Sequence, residues 1–346
     1  MNRLSRGLTR LSRVLCILGA ASICEAQELK TGRIGDLPLE QGGLIRECVI
    51  GYRTFGKLDA SKSNAVLFPT ALGWTSDGLA SRVGPGKLVD SSKYYVIVVD
   101  SLGDGVSSSP STSSSQPGPS FPQFSMRDMV NAGQKLVTEV LHLPHLRAVV
   151  GFSMGGMQAF QWAVSYPEFV DKVVSIAGSP QLTSYDRLLW RTSLLALKSD
   201  PEWNEGRYKK RPPLHLVNMM AALLIQTPEY VATHTSREEY PSFESKLVQG
   251  PDDPDPNDML SQISAVLTTD VAAKLGGSLQ KAAALVRARV LVIVNRQDLL
   301  VNPLPSRDFA RLVGGRLIEL DSDCGHRAHA CEATRIAGEV AAFLAK

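Results

Sequence analysis

Short runs of apolar residues recur along most of the chain, and segments with a helical period of apolar positions lie between several of them. Short continuous apolar runs are typical of strands buried on both faces of a parallel sheet. Between them, segments 126–143 and 154–164 predict helices, because their apolar residues recur about every 3.6 positions. This alternation predicts an α/β fold with a mostly parallel, doubly wound sheet. The predicted buried strands are 64–69, 94–99, 148–151, 173–176, 290–294 and 315–320.

Two segments depart from this alternation. Residues 45–55 alternate between apolar and polar positions, which predicts an edge strand. Residues 181–280 predict several helices with joints rich in Pro, Trp and Asp, and they lie between two predicted core strands. They therefore form a helical insertion over one end of the sheet, and the core comprises 27–180 and 281–346. The GPDDPDPND segment of the insertion lacks EF-hand spacing, so it predicts a solvated loop that caps a helix from Met259.

The first 26 residues differ from the rest of the chain. They carry four arginines, a short apolar run, VLCILGAASI, and small residues around Ala26. This layout predicts a secretory signal peptide with cleavage near Ala26, and the apolar run is short for a membrane span. The alternative is an amphipathic or wrongly assigned start, which would leave the protein in the cytoplasm.

Cleavage there changes the charge balance. The segment contains four arginines and one glutamate, so the remaining chain has equal numbers of basic and acidic side chains. No basic excess remains to favour nucleic acid or an anionic membrane as a partner.

Three cysteines follow the predicted cleavage point: Cys48, Cys324 and Cys331. Three are too few for a disulfide scaffold. Cys324 and Cys331 could form a disulfide in an oxidising compartment, and two buried thiols are the favoured alternative. No Cys or His pair has the spacing of a metal site, so no metal or other cofactor is predicted.

The segment VVGFSMGGMQ places Ser153 between two glycines, at the end of a predicted strand and the start of a predicted helix. An ordinary tight turn with an N-capping serine would explain part of this pattern. The strand–turn–helix context favours a nucleophile elbow, in which a strained turn exposes the serine oxygen.

A serine nucleophile needs a base, and the base needs an orienting carboxylate. His326 is the favoured base, because it follows a predicted strand and a glycine. His329 is expected to have a structural role instead. Asp298 is the favoured acid, since it comes shortly after the strand 290–294. Asp270 and Asp323 are the alternatives.

An oxyanion hole requires two backbone N–H groups directed at the developing negative charge. The first is expected from Met154, the residue after the nucleophile. The second is expected from the loop PTALGW, where Leu72 is favoured over the neighbouring Ala71.

With these residues in place, the chain resembles the homoserine O-acetyltransferase branch of the α/β-hydrolase superfamily. The resemblance rests on GFSMGGMQAFQWAVSYPEFV, GYRTFGKLDASKSNAVL, GPGKLVDSSKYYVIVVDSLG, FPQFSMRDMV, SDPEWNEGRY, DPNDMLSQISAVLTTD and a late Gly-His. It implies an α/β-hydrolase fold, a lid formed by the insertion 181–280, and an acyl-serine intermediate. It also implies Ser153, Asp298 and His326 as the catalytic triad, with Leu72 and Met154 as oxyanion donors.

The sequence departs from that family at three places. Family acetyltransferases usually carry an aspartate directly after the catalytic histidine, where this chain has Arg327. They hold the homoserine carboxylate with a lid arginine, for which Arg191 is the candidate here at a different spacing. Their His-Ala-Leu-Thr-Gly segment is replaced by TALGW at residues 70–74.

Three functions are compatible with these observations. The favoured one is an exported carboxylic-ester hydrolase or acyltransferase that acts on a small-molecule ester or acyl donor. The second is a homoserine O-acetyltransferase with acetyl-CoA as co-substrate, for which export is an objection because acetyl-CoA is cytoplasmic. The third is a non-catalytic binding protein on a hydrolase fold. A homodimer through the lid is a further expectation from the resemblance.

Overall fold

The computed structural model describes residues 27–250 and 254–346. The predicted signal peptide lies outside these residues. Eight strands form one sheet in the order β1-β2-β4-β3-β5-β6-β7-β8. The strands are β1 (Lys30–Pro38), β2 (Leu44–Phe55), β3 (Ala65–Pro69), β4 (Tyr95–Val99), β5 (Ala148–Phe152), β6 (Lys172–Ile176), β7 (Arg289–Asn295) and β8 (Arg316–Leu320).

Six strands, from β4 to β8 in the sheet order, run parallel, whereas β1 and β2 pair antiparallel with their neighbours. The predicted mostly parallel, doubly wound α/β sheet is confirmed. The prediction of an edge strand at 45–55 is wrong, because β2 lies between β1 and β4 and the two edge strands are β1 and β8. β1 escaped the sequence analysis because six of its nine residues are exposed and its apolar positions do not alternate regularly.

Apolar residues cover both faces of the sheet. Along β4, Ile97 and Val99 belong to one buried cluster while Val96 and Val98 belong to the other. This division follows from the alternation of side chains along a strand. Helices α2, α3, α9 and α10 pack on the first face, and α1 and α12 contribute to the second. Two covered faces fix the register of every central strand.

The helices of the described chain mostly match the sequence pattern. Their bounds are α1 (Ser76–Ala80), α2 (Met126–Lys135), α3 (Met154–Ser165), α4 (Ser184–Lys198), α5 (His215–Ile225), α6 (Pro228–His234), α7 (Tyr240–Gln249), α8 (Pro256–Leu267), α9 (Leu279–Leu285), α10 (Leu304–Leu312), α11 (Ala328–Cys331) and α12 (Ala333–Ala345). The single helix predicted at 126–143 ends as an α-helix at Lys135 and continues as a π-helical turn, Leu136–Val140. Among the described residues, no helix combines the length and apolar character needed to cross a membrane.

Helices α4 to α8 form the insertion between β6 and β7. A capping box opens α4, in which Thr183 and Asp186 satisfy each other's backbone N–H groups. The cap predicted ahead of Met259 is present one turn earlier, because the Asp255 side chain accepts from the Asn257 N–H and α8 begins at Pro256. We call the segment 181–280 the lid below.

Two features of the cysteines complete the fold. Cys324 and Cys331 form a disulfide, with their Cα atoms 6.6 Å apart. The favoured expectation of two buried thiols is therefore wrong, because the short turns between them bring both side chains within bonding range. Cys48 is a free cysteine and is fully buried on β2.

Candidate active site

Ser153 occupies the turn that joins β5 to α3, with backbone torsion angles of φ 54° and ψ −125°. A positive φ is a strained conformation for a residue with a side chain, at a typical cost of about 1–3 kcal/mol. The turn is held on both sides of the serine. The Ser153 N–H donates to the Ile176 carbonyl at 2.9 Å, and the Ser153 carbonyl accepts from the Met157 N–H at 3.0 Å.

The glycines around Ser153 are required by close backbone packing. A Cβ atom on Gly151 would lie 2.2 Å from the Gly155 carbonyl oxygen, and one on Gly155 would lie 2.5 Å from the Pro69 carbonyl oxygen. Both clashes are with backbone atoms, which cannot rotate away as a side chain would. The glycines thus let α3 start directly against β5 and β3, which places Ser153 at the carboxyl end of the sheet.

Asp298 lies in the loop that follows β7. Its Oδ1 accepts from the backbone N–H groups of Leu300 and Val301, both at 2.9 Å, which fixes the carboxylate. Its Oδ2 lies 2.7 Å from Nδ1 of His326. The carboxylate is 6 % exposed, so this hydrogen bond is shielded from water.

His326 lies in the loop after β8 and is also buried. Its Nε2 lies 2.9 Å from Oγ of Ser153. Because a carboxylate only accepts hydrogen bonds, Nδ1 carries the proton toward Asp298 and Nε2 is left to accept from the serine hydroxyl. The structure therefore brings Ser153, His326 and Asp298 into one hydrogen-bonded chain.

The alternative acids do not take this place. Asp270 accepts from the Ala272 N–H with its own Oδ1, near the start of a 3-10 turn. Asp323 presents its backbone carbonyl to Thr227 in the lid. Neither carboxylate is hydrogen-bonded to His326, for which the described partners are Asp298 and Ser153.

Asn295, the last residue of β7, was missed by the sequence analysis and anchors the loop that carries His326. Its Nδ2 donates to the carbonyls of Ser322 and Gly325 at 2.8 Å, and its Oδ1 accepts from the Ser322 N–H at 3.0 Å. The Cys324–Cys331 disulfide brackets the same loop. The signal in the sequence was an asparagine at the end of an otherwise apolar strand.

The two amides expected to form an oxyanion hole come from the predicted segments. Met154 is the first residue of α3, so its N–H has no acceptor within the helix. Leu72 follows β3 in a turn where the next two amides are occupied: Gly73 donates to Oε1 of Gln262 at 2.9 Å, and Trp74 donates to Ala71, whereas the Ala71 N–H has no described acceptor. Within the described residues the Leu72 N–H has no hydrogen-bond partner.

A cavity of about 400 Å³ lies between the sheet and the lid, with Ser153, His326 and Leu72 in its wall. Such a volume is typical of a small-molecule site. Most of the wall is apolar, and the lid supplies much of it. The apolar lining residues from the lid include Leu189, Trp190, Val217, Ile225, Met259 and Ile263.

Arg191, the candidate for holding a substrate carboxylate, is not part of this cavity. It is exposed on α4, whose residues in the cavity wall are Leu189, Trp190 and Ser193. Successive helical residues are rotated by about 100°, so Arg191 points away from the face that these residues share. The cations in the cavity wall are instead Arg82 and Arg327.

His329 has the structural surroundings that the sequence analysis expected. Its ring stacks on Phe152, with the ring centroids 4.6 Å apart. Burial, followed by the charges of the nearby His326, Arg82 and Arg327, lowers the pKa of His329 to about 3. The imidazole is therefore neutral across the physiological range, and its Nδ1 is buried without a hydrogen-bond partner.

The arrangement is suited to nucleophilic chemistry. An acceptor nitrogen on a serine hydroxyl, with a buried carboxylate behind the imidazole, is the geometry that activates a serine. Among the described residues, no cluster of His, Cys, Asp and Glu has the geometry to hold a metal ion.

Comparison with known proteins identifies the family of the fold. Residues 64–331 match the family model for the alpha/beta hydrolase fold. The chain is 35 % identical over 280 residues to an ethyl acetate hydrolase of Pseudomonas veronii, an alignment that covers 77 % of this chain and 79 % of the relative. It is 30 % identical over 363 residues to a homoserine O-acetyltransferase of Methanosalsum zhilinae, covering 89 % and 71 % of the two chains.

A solved structure, of the acetyl esterase MekB, superposes with a TM-score of 0.85 at 30 % identity and covers 92 % of this chain and 96 % of that one. The chain belongs to the alpha/beta hydrolase fold family. Within that family it is an enzyme whose relatives are esterases and O-acyltransferases. The resemblance found in the sequence is confirmed.

Proposed function

We propose that the protein is a carboxylic-ester hydrolase that works through an acyl-serine intermediate. The observation that carries the proposal is the hydrogen-bonded chain from Ser153 through His326 to Asp298 in the wall of the cavity. The names of the Pseudomonas relative and of the superposed esterase support a short acyl group.

In this mechanism the Ser153 oxygen attacks the ester carbonyl while Nε2 of His326 takes the hydroxyl proton. Asp298 stabilises the imidazolium through its hydrogen bond to Nδ1. The Leu72 and Met154 N–H groups stabilise the negative oxygen of the tetrahedral intermediate. His326 then protonates the leaving alcohol, and in the second half of the cycle it activates the water that releases the acid from Ser153.

The test is the variant Ser153→Ala. We expect its kcat for 4-nitrophenyl acetate to fall by at least about 10⁴-fold, because the covalent route is lost. Ser120→Ala is the matched control, since Ser120 is exposed and bonds its own turn. Wild-type protein should also react stoichiometrically with a fluorophosphonate probe. A folded sample that neither reacts nor turns over would instead support the non-catalytic binding protein.

A second candidate is a homoserine O-acetyltransferase, favoured by the similarity to the Methanosalsum relative across most of both chains. The two functions differ in what releases the acyl group from Ser153. CoA release from acetyl-CoA that depends on L-homoserine would establish the transferase. Absence of that release, together with Ser153-dependent ester cleavage, would establish the hydrolase.

Export is also a proposal. The disulfide Cys324–Cys331 supports it, because disulfides persist mainly in oxidising compartments. Mass spectrometry of the protein from its native cell should find the N-terminus near residue 27 and the protein outside the cytoplasm. An intact N-terminus in the cytoplasm would contradict export and would favour the transferase.

A homodimer through the lid remains a proposal as well. Leu188 and Leu195 on α4 and Leu223 on α5 are each more than 60 % exposed, which favours a covered apolar surface in solution. Sedimentation equilibrium measures the mass directly. Replacement of Leu188 and Leu223 by Glu should convert a dimer to a monomer, whereas a monomeric wild-type protein would contradict the proposal.

A further inference from the structure

Two guanidinium groups lie in the wall of the cavity that contains Ser153. Arg82 follows α1 and is half-buried, and Arg327 is the residue directly after His326. The one described side-chain hydrogen bond of Arg82 is from Nη1 to the His329 carbonyl at 3.4 Å. Neither arginine forms an ion pair with a carboxylate of the described residues, although many other arginines there do.

No acidic side chain compensates these charges within the site. The cavity wall contains no Asp or Glu, and Asp298 is turned toward His326 behind it. A second hollow of about 340 Å³ shares Arg82, Phe152 and His329 with the cavity. Its wall adds Lys87 and again contains no Asp or Glu. His329, between the two spaces, is neutral and adds no negative charge.

The position of Arg82 is electrostatically unfavourable without an anion. Burial, followed by the charge of Arg327, lowers the pKa of Arg82 below its usual value. An arginine still keeps its proton at any physiological pH, so the two positive charges stay close together. A bound carboxylate would relieve both the desolvation and the repulsion, and guanidinium groups bind carboxylates in charge-assisted pairs.

We propose that Arg82 and Arg327 form a carboxylate-binding subsite, so that the preferred substrate is an ester whose leaving alcohol carries a carboxylate. This inference rests on the proposed ester hydrolase function. The alcohol side is assigned because His326 delivers its proton to the leaving oxygen. Arg327 is exposed and lines the same cavity as Ser153 and His326, so a group attached to that oxygen can reach its guanidinium. The substrate class is thus the O-acyl hydroxy acids, with an acyl group small enough for the apolar cavity.

The experiment compares two esters that differ only in charge, 4-acetoxybutanoate and 4-acetoxybutanamide, by chromatography of the released alcohol. For the wild-type protein we expect kcat/KM to be at least about 10-fold higher for the carboxylate, mainly through KM, because the subsite binds substrate and transition state alike. Arg82→Gln and Arg327→Gln should each remove most of this preference, measured within each variant as the ratio of the kcat/KM values for the two esters.

Arg191→Gln is the matched control, because Arg191 is an exposed lid arginine outside the cavity and should leave the preference unchanged. Raising the salt concentration should weaken the wild-type preference, as it screens partly exposed charges. Equal kcat/KM values for the two esters in the wild type, or a preference that survives both Arg→Gln substitutions, would overturn the subsite. Turnover that persists in Ser153→Ala would instead overturn the proposed hydrolase function, so the two failures are distinguishable.

Discussion

At the scale of single residues, Asp100 and Asp104 form a buried carboxyl pair at the carboxyl end of β4. Asp104 Oδ1 accepts from the N–H groups of Val106 and Ser107 at 2.9 Å, and the Oδ2 atoms of both carboxyl groups are buried with no hydrogen-bond partner among the described residues. Burial raises the pKa of both, and the charge of Asp100 raises that of Asp104 further. Two neighbouring buried carboxylates repel each other when both are ionised, so we expect the pair to retain a proton on folding.

This pair predicts a pH dependence of stability. A carboxyl whose pKa is raised by folding stabilises the native state below its unfolded pKa of about 3.9 and loses that contribution as the pH rises. We expect Asp104→Asn, which can keep the backbone hydrogen bonds, to be close to wild type at pH 5. At pH 8 we expect it to be more stable by about 1 kcal/mol or more. Urea denaturation at both pH values measures this.

The control is Asp308→Asn, since Asp308 is exposed and pairs only with Arg311 at the surface. Its stability relative to wild type should change little between the two pH values. A difference for Asp104→Asn that is the same at pH 5 and pH 8 would show that the pair does not retain a proton.

The residues proposed to act at the site differed in how far the sequence could predict them. Ser153, Asp298 and His326 could be named because each follows a strand in a fixed order along the chain, and the fold brings those strand ends together. Arg82 and Asn295 could not be named from the sequence. The Arg82 side chain contacts a residue that is 247 positions away along the chain, and the Asn295 side chain contacts residues that are 27 and 30 positions away. Such contacts leave no periodic trace in the sequence.

At the scale of elements, α8 of the lid holds the loop that is expected to supply an oxyanion donor. Gln262 on α8 is 1 % exposed. Its Oε1 accepts from the Gly73 N–H at 2.9 Å, and its Nε2 donates to the Leu102 carbonyl at 3.2 Å. Since Gly73 is next to Leu72, the lid helix sets the direction of the neighbouring amide.

Gln262→Leu should therefore lower kcat for a short ester by about 10-fold with little change in KM. The Leu72 amide is expected to stabilise the transition state and not the ground state, and a displaced amide would lose that interaction. The substitution should also lower the free energy of unfolding by about 1–3 kcal/mol, as a buried N–H is left unpaired. Gln161→Leu is the control, since Gln161 is equally buried and its described bond is to Ser165 within α3. A loss of stability with kcat unchanged would limit Gln262 to a structural role.

The elements themselves were predicted best where both faces are covered. Five of the six parallel strands are continuous apolar runs in the sequence, and the observed bounds of all six differ from the sequence pattern by at most one residue at either end. β8, at the edge of the sheet, is less buried. β1 was missed because it is an edge strand with a bulge near Gly35 and little buried surface. The break of the second helix into a π-helical turn at Leu136 also has no signal in the apolar period, which continues through it.

At the scale of the whole molecule, one disulfide links the loop that contains His326 to Cys331, the last residue of α11. The disulfide Cys324–Cys331 spans seven positions. Closing a loop of that length stabilises a protein by about 2.5 kcal/mol in the chain-entropy model. The link is local, so its effect on the active-site loop should exceed its effect on the sheet.

We expect the double variant Cys324→Ala, Cys331→Ala to unfold at a lower temperature and to lose esterase activity on heating before the sheet melts. Circular dichroism and activity measured on the same sample follow the two events. Cys48→Ala, which leaves the disulfide intact, is the control for the loss of a thiol. Coincident loss of activity and of secondary structure in the double variant would contradict a local effect.

The buried thiol of β2 has a practical consequence for work in solution. Burial raises the pKa of Cys48 to about 11, so almost no thiolate is present at neutral pH, and the side chain is closed to reagents. With the other two described cysteines bonded to each other, Cys48 is the one sulfhydryl of the described residues. Its alkylation therefore requires β2 to separate from its surroundings. The alkylation rate of Cys48 therefore measures how often the antiparallel side of the sheet opens.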